Sequence, residues 1–533
     1  MWTEPTADRR RPTAAGRGRQ TTDDGPLPER SDCGPSFLAG VRARGRVLAA
    51  VGGRWSAVVL FLLAAALRFR SLFANTFHAD EALFATWARL IAVWRDPLLA
   101  AQPVDKPPLL FYSQALFYPF FGPVEWAARL PALIASLLLV PLTAQFAWRL
   151  SGDRLTAATA ALVIAVAPLA IQFSATAFSD PLLTFWLMSV LVLLPAAGHR
   201  SRPALAGFCF GLALATKYQA ALFLPLVLGL GWLGGWGRRE WTRALLGLAA
   251  VLALLAAWGV SRSGGTPVVA AQWANVGGVR LAWSWELWPR LLAQGRLWLV
   301  GLGWPLAVLG AAAMGGVAIS RDGRARLSPR ETLVSLFVLA YLLIHWLGSI
   351  PAWDRYLLPV LPLVAALIGR GVSLLWSGVC RRGRILRAAA GLGLVIIGVL
   401  GFVVAANARA GRYPIGGRPD ADGGAAVVAR ALADAPYGTV LYDHWYSWHW
   451  RYQLFDRRVY VSWFPDADAL VEDLAAFGGA GPARYIALPA SGTAAPVVRR
   501  LQEAGYRLEL VSRPRDGVVA LWRISSETTG SAD

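Results

Sequence analysis

Runs of about 20 apolar residues recur along this chain, and they restrict its fold more than any other feature of the sequence. A bilayer core of roughly 30 Å is crossed by a helix of about 20 residues. Hydrophobic residues make up 56% of the 533 positions and charged residues 16%, which differs clearly from ordinary soluble domains. The sequence therefore predicts a polytopic α-helical membrane protein.

Windows of this length predict about eleven transmembrane helices. These lie near residues 54–72, 127–148, 155–174, 181–197, 203–217, 219–236, 243–260, 295–318, 332–350, 355–377 and 386–406.

The formal net charge of +20 does not indicate a nucleic-acid partner, because the basic residues form short clusters between apolar runs. If the N-terminus is cytoplasmic, every short cluster falls on the inner side, as the positive-inside rule requires. The clusters are Arg149/Arg154, Arg200/Arg202, Arg238/Arg239/Arg243, Arg321/Arg324/Arg326/Arg330 and Arg381/Arg382/Arg384/Arg387. This orientation places residues 73–126, the first outer loop, and the C-terminal region outside.

Composition divides the chain into four parts. Residues 1–50 are rich in Arg, Pro, Gly and Asp, which predicts a disordered basic cytoplasmic leader. Residues 51–410 form the membrane domain. Across 411–525 strand-like and helix-like segments alternate, which predicts a small extracytoplasmic α/β domain. Residues 526–533 are expected to form a disordered tail.

The first outer loop carries two adjacent carboxylates, Asp80 and Glu81, in the stretch "HADEA". Apolar residues follow at helical spacing, so an amphipathic helix is expected and Asp80 could be its N-cap. Further on, Lys106 precedes two prolines, a rigid turn that suits the capture of an anion. A solvated lysine is the alternative for Lys106.

Three later charged residues allow two interpretations each. Asp180 precedes a proline and could serve only as a helix cap. Lys217 falls at the outer end of a predicted span, where its amine could simply reach the interface. Arg355, followed by Tyr356, could be paired with its neighbour Asp354.

Two long stretches, "HADEALFATWARL" and "DKPPLLFYSQALFYPFFGPVEWAARLPALIASLL", closely resemble family 39-type membrane glycosyltransferases. This group includes the bacterial aminoarabinose transferase and, more distantly, the protein O-mannosyltransferases. The order Asp-Glu, Lys-Pro-Pro and Gly-x-x-Glu-x-x-Ala-Arg-Leu-Pro is specific to the group. "FSDPLLTFW", "GLALATKYQAALFLP" and "DRYLLPVLP" also match, so the resemblance covers about residues 55–377 and implies a GT-C fold.

The resemblance implies a sugar donor carried on a polyprenyl phosphate and transfer on the outer face of a bacterial plasma membrane. It implies that Asp80 is the catalytic base, with Glu81 in a supporting role. Lys106, Arg355 and Tyr356 are implied to bind the donor phosphate, and Asp180 to shape the donor or acceptor site.

A metal site is a further implication, because a relative in this group uses an acid before its Lys-Pro-Pro together with a later histidine. Asp105 matches that acid, but residues 261–294 contain no histidine. The leaving group is already a phosphate monoester of a lipid, so the chemistry does not require Mg²⁺. We therefore expect transfer without a metal.

Inverting transfer from such a donor needs a carboxylate that deprotonates the acceptor and cations that stabilise the departing phosphate. Asp80 supplies such a carboxylate and Lys106 such a cation, and both lie in the first outer loop. The expected function is glycosyl transfer to a lipid, polysaccharide or protein. A flippase for lipid-linked glycans is the alternative, for which inverted repeats and broken helices would be typical. A membrane anchor for the C-terminal domain would leave the first outer loop unexplained.

Overall fold

The computed structural model describes residues 54–526 except 197, 263–267, 269, 271–279, 320–326, 478–480 and 516, and gives only the backbone at 54–56, 314–319 and 381–382. The predicted leader, most of the predicted tail and three arginines of the fourth basic cluster, Arg321, Arg324 and Arg326, lie outside the described residues.

Helices make up the first part of the described chain. They are α1 (Arg54–Ala74), α2 (Ala79–Ala92), α3 (Leu109–Ala115), α4 (Tyr118–Phe121), α5 (Glu125–Ser151), α6 (Arg154–Val166), α7 (Pro168–Ser174), α8 (Asp180–Leu193), α9 (Pro203–Thr216), α10 (Leu224–Leu233), α11 (Arg238–Ser261), α12 (Ser284–Leu302), α13 (Trp304–Ile319), α14 (Pro329–Leu347), α15 (Leu361–Arg382) and α16 (Arg384–Arg409). Two 3₁₀ segments, Tyr218–Phe223 and Asp354–Val360, precede α10 and α15.

By length and composition, six helices of the described chain can cross a membrane, or up to eight if each of two bent helix pairs counts as one span. Three predicted spans, near 181–197, 203–217 and 219–236, coincide with shorter apolar helices. The chain is thus a multi-pass helical protein, and the count of eleven stays a prediction.

Two predicted spans are bent rather than straight. The span predicted at 155–174 bends by 54° between α6 and α7, where Pro168 begins the second helix. The span predicted at 295–318 bends by 104° between α12 and α13. Gly303 lies at that bend with φ +80°, and a Cβ there would stand 2.5 Å from Val404 Cγ1. Only glycine fits this turn, so the prediction of one continuous helix was wrong.

Helices α9 and α11 pack backbone to backbone. A Cβ on Gly207 would lie 1.7 Å from the carbonyl oxygen of Ala244, and a Cβ on Gly247 would lie 2.0 Å from that of Ala204. Small residues at such crossings let apolar helices approach closely, which is a common basis of helix association in membranes.

A five-stranded sheet forms the C-terminal domain. Its strands are β1 (Thr439–Asp443), β2 (Val459–Trp463), β3 (Arg484–Pro489), β4 (Tyr506–Ser512) and β5 (Val519–Ser526), in the order β2-β1-β3-β5-β4. Strand β1 is parallel to β2 and β3, whereas β5 is antiparallel to β3 and β4. The helices are α17 (Ala425–Ala431), α18 (Ser447–Gln453), α19 (Ala467–Ala476) and α20 (Ala495–Glu503). A small domain of strands and helices is thus present, as the sequence predicts.

Helix α18 docks the C-terminal domain on the first outer loop. The ring of Tyr452 packs edge-on against Phe77 at 4.9 Å, and its hydroxyl donates to the carbonyl of Pro123 at 2.7 Å. The guanidinium of Arg89 pairs with Asp456 and lies 4.2 Å from the centre of the Phe455 ring. The sheet domain and the first outer loop therefore lie on the same side of the helical domain.

Candidate active site

The first turn of α2 carries both adjacent carboxylates, and neither is the N-cap. His78 caps the helix: its Nδ1 accepts from the backbone N–H of Asp80 at 3.2 Å, and its own N–H donates to Glu81 Oε2 at 2.9 Å. The interpretation of Asp80 as a cap was wrong. Its Oδ2 instead accepts from Nη1 of Arg355 at 2.9 Å, and the side chain is 38% exposed.

Glu81 points the other way, into the protein. Its Oε1 accepts from the backbone N–H of Ala177 at 2.6 Å and lies 3.5 Å from Nε of Arg129. Glu81 and Arg129 are both fully buried, and Arg129 also donates to the carbonyl of Asn75 at 2.7 Å. Glu81 thereby ties the start of α2 to the turn before α8, which carries Asp180.

Asp180 and Lys217 form a buried ion pair. Asp180 is the first residue of α8, with Ser179 as the N-cap, and its side chain is 1% exposed. Its Oδ1 accepts from Nζ of Lys217 at 2.6 Å. The amine also lies 4.6 Å from the centre of the Tyr356 ring. Lys217 is therefore part of the site and does not reach for the interface.

Arg355 is oriented by aromatic rings and by its neighbour. Asp354 accepts from the backbone N–H of Arg355 at 2.7 Å and from that of Gly416 at 2.8 Å, so it does not hold the guanidinium. The guanidinium lies 5.0 Å from the Phe178 ring centre and reaches Asp80. The alternative of a local Asp354–Arg355 side-chain pair was wrong.

A second layer of aromatic residues fixes Tyr356. The hydroxyl of Tyr341 donates to the carbonyl of Tyr356 at 2.7 Å, and His345 stacks on Tyr341 with ring centres 4.2 Å apart. Nδ1 of His345 contacts the carbonyl of Tyr341 at 2.8 Å, one turn earlier on the same helix. Tyr341 itself was missed, because nothing in its apolar surroundings distinguishes it.

Lys106 pairs with the preceding Asp105. Electrostatics also link Lys106 to the rest of the site, since its charge and that of Arg355 both act on Lys217. Within the described residues, no group of three or more His, Cys, Asp and Glu side chains is arranged to hold a metal ion. The metal-ligand role that the resemblance implies for Asp105 stays untested.

The segment after α16 crosses the site before the sheet domain begins. Gln172 donates from Nε2 to the carbonyl of Ile415 at 2.6 Å, and Thr76 donates its backbone N–H to the carbonyl of Arg418 at 3.2 Å. Together with the Gly416–Asp354 contact, these bonds join the linker to three elements that border the site.

The docked domain also contains a buried imidazole at the loop. Nε2 of His449 donates to the carbonyl of Phe77 at 3.1 Å, which fixes the neutral tautomer because a carbonyl only accepts. Its Nδ1 is buried without a partner. Burial lowers the pKa of His449 below its usual 6.5; the hydrogen bond to Phe77 and the charges of Asp422 and Asp443 partly oppose the effect, and the charge of His78 adds to it.

The geometry combines a half-exposed carboxylate with three cations. The charge of Arg355 interacts with those of Asp80 and Asp180. The charge of Lys217 interacts with those of Arg355 and Lys106. Guanidinium and ammonium groups are the usual partners of phosphate oxygens, and a carboxylate beside them can accept a proton. The arrangement fits the recognition of a phosphorylated substrate next to a general base.

Known proteins share this arrangement of helices. ArnT from Cupriavidus metallidurans in the apo state superposes with a TM-score of 0.62, at 17% sequence identity, over 89% of this chain and 99% of that one. The fold is that of ArnT. The same protein bound to undecaprenyl phosphate gives a TM-score of 0.60, and the Archaeoglobus fulgidus oligosaccharyltransferase in the apo form gives 0.55 at 12% identity, over 82% of this chain and 69% of that one.

Sequence similarity points to the same group. The family model for dolichyl-phosphate-mannose-protein mannosyltransferase matches residues 105–260. Undecaprenyl phosphate-alpha-4-amino-4-deoxy-L-arabinose arabinosyl transferase of Pseudomonas aeruginosa strain LESB58 is 33% identical over 189 residues. That alignment covers 33% of this chain, which spans about a third of the length of the curated relatives it matches. The resemblance read from the first outer loop is confirmed, and with it the GT-C type of fold.

Proposed function

We propose that this protein transfers a sugar from a polyprenyl-phosphate donor to an acceptor on the outer face of a bacterial cytoplasmic membrane. The Asp80–Arg355 pair carries the proposal, because a candidate base lies 2.9 Å from a guanidinium suited to binding the donor phosphate. The relatives named above supply the donor class.

The bond changes balance without a further reactant. The acceptor hydroxyl attacks the anomeric carbon, the bond from that carbon to the phosphate oxygen breaks, and the hydroxyl proton passes to Asp80. The leaving group is the polyprenyl phosphate, whose negative charge Lys106, Lys217 and Arg355 stabilise. Attack opposite the leaving group inverts the anomeric centre.

Arg355 would couple donor binding to the readiness of the base. The guanidinium of Arg355 holds the Asp80 carboxylate, so Asp80 is engaged until another anion takes its place. A donor phosphate competes for the same guanidinium with a higher charge and bidentate geometry. Binding of the donor phosphate to Arg355 would therefore release Asp80, so the base becomes available only in the donor complex.

Topology supports an outer location for this site. The first outer loop and the C-terminal domain share one side, so an even number of crossings must separate them. Counting α1, the total number of crossings is then odd, as it is for the predicted eleven spans. The positive-inside rule supplies the direction, with the N-terminus in the cytoplasm and the C-terminal domain outside.

The decisive test is Asp80→Asn in the purified protein, assayed for transfer from a radiolabelled polyprenyl-phosphate sugar. Loss of a general base should lower turnover by roughly 10²- to 10⁴-fold while donor binding is retained. Arg355→Gln should mainly weaken donor binding. Asp434→Asn is the matched control, a carboxylate outside the site that should leave transfer unchanged.

Two results would overturn the proposal. One is undiminished turnover in Asp80→Asn. The other is flux of the lipid-linked sugar across liposomes without any transfer, which would make the protein a flippase. Mass spectrometry of envelope lipids, polysaccharides and proteins from a deletion strain would identify the acceptor.

A further inference from the structure

A cavity of about 520 Å³ lies between α5, α8 and α9 at the end of these helices away from the candidate active site. Helices α5 and α8 carry site residues and pass from one place to the other, and α9 ends directly before Lys217. On α5, Arg129 contacts Glu81 and Arg149 lines the cavity, 20 positions and about 30 Å further along the axis. That distance is roughly the thickness of a bilayer core, so the cavity belongs to the opposite leaflet.

The walls of the cavity are largely apolar, with Gln145 and Ser189 as their polar residues, and its rim is basic. Leu142, Val192, Leu193, Leu205 and Cys209 supply the apolar surface. The rim carries Arg149, Arg200, Arg202 and His199. No acidic side chain stands among the described lining residues, so the three arginines have no carboxylate beside them in the lining.

Arg149 is fixed in place by backbone carbonyls. Its guanidinium donates to the carbonyl of Val192, to that of Leu194 at 3.2 Å and to that of Arg200 at 3.3 Å. These contacts join α5 to the end of α8 and to the turn that follows. The charge of Arg330 also acts on Arg149, adding a fourth arginine to the neighbourhood.

Arg200 and Arg202 remain available for a ligand. Both are exposed, and neither pairs with a carboxylate in the described part of the chain. Leu205 is 41% exposed, so the cavity opens along the outer surface of α9. Trp148, packed edge-on against His199 at 5.0 Å, is exposed in the manner of the tryptophans that mark membrane interfaces.

We propose that this cavity binds the headgroup of one anionic phospholipid from the cytoplasmic leaflet. The phosphate would lie among Arg149, Arg200 and Arg202, and the acyl chains would follow the apolar wall toward Leu205. The volume is in the range of small-ligand sites, roughly 300–1,000 Å³, and exceeds what a phosphate ion alone needs. Basic pockets between helices on this side of a membrane are suited to phospholipid headgroups.

Native mass spectrometry of the full chain in detergent tests the proposal with three probes: phosphatidylglycerol, phosphatidylcholine and inorganic phosphate. We expect one tightly bound phosphatidylglycerol, at least tenfold weaker binding of phosphatidylcholine, and no displacement by inorganic phosphate at equal concentration. Equal binding of the two lipids would overturn the proposal. Displacement by phosphate would also overturn it, since the site would then be one for a free anion.

The variant Arg200→Gln/Arg202→Gln should weaken phosphatidylglycerol binding by roughly 25-fold, at about fivefold per arginine. The matched control is Arg238→Gln/Arg239→Gln, which removes two exposed arginines predicted to lie on the same side but outside the cavity. The control should bind as the unaltered protein does. An equal loss in both double variants would show general attraction to the basic surface and refute a defined site.

Cys209→Phe fills the cavity without changing its charge, and it should also abolish tight binding. Retained binding in Cys209→Phe would contradict the assignment to this cavity. The comparison of lipids on the unaltered protein requires no variant, so a misfolded variant does not weaken the test. None of these measurements uses sugar transfer, so their outcome is separate from that of the proposed function.

Discussion

Glu81→Gln is expected to be one of the most destabilising isosteric changes in the chain. Glu81 is fully buried, and its two oxygens accept from the N–H groups of His78 and Ala177. Glutamine has one acceptor oxygen, so one N–H would face an NH₂ group. Arg129, also fully buried, would lose its nearest carboxylate.

The magnitude follows from these contacts. Removing one partner of a buried ion pair costs about 3–5 kcal/mol. The lower end applies, because Glu125 still lies 3.8 Å from Arg129. An unpaired buried N–H adds about 1–3 kcal/mol. We expect the free energy of unfolding to fall by about 4 kcal/mol.

Equilibrium unfolding in SDS–detergent mixtures, followed by the fluorescence of the 25 tryptophans, measures this change. Asp468→Asn is the control, because the Asp468–Arg500 pair is exposed and such pairs contribute about 0–1 kcal/mol. The double variant Glu81→Gln/Arg129→Met should recover part of the loss. A cost for Glu81→Gln no greater than that of the control would refute the buried-pair reasoning.

Two further predictions concern the docked linker and domain. Protonation of His449 would bury an Nδ1–H without a partner, and the pKa of His449 is lowered in the folded state. Docking on Phe77 should therefore be fully stable above pH 6.5 and weaken as the pH falls through the folded pKa. His449→Gln should remove this pH dependence in thermal melts between pH 7.5 and 5.5. A Cβ on Gly417 would stand 2.7 Å from Asn75 Nδ2, so Gly417→Ala should lower the free energy of unfolding by about 1–3 kcal/mol. Gly378 has open space around it, so Gly378→Ala should be neutral in the same SDS titration.

The local pattern of the sequence was sufficient for much of the fold. Apolar run length predicted the helical membrane domain, and alternation of strand-like and helix-like segments predicted the sheet domain, because both signals act over about 5 to 20 neighbouring residues. The bend at Gly303 was not predictable in this way. The residues around it are apolar and continuous, and the turn becomes evident only where Val404 leaves no room for a side chain.

The candidate site shows the same division. The sequence by itself determined which residues are candidates for the chemistry: Asp80, Lys106, Asp180, Arg355 and Tyr356 all stand in recognisable motifs. Only the tertiary structure decided their partners, because Asp80 and Arg355 are separated by 275 positions. It showed that Glu81 is buried with Arg129 while Asp80 is half-exposed beside Arg355. Successive residues on a helix point in different directions, and what each one meets depends on packing that no local pattern records.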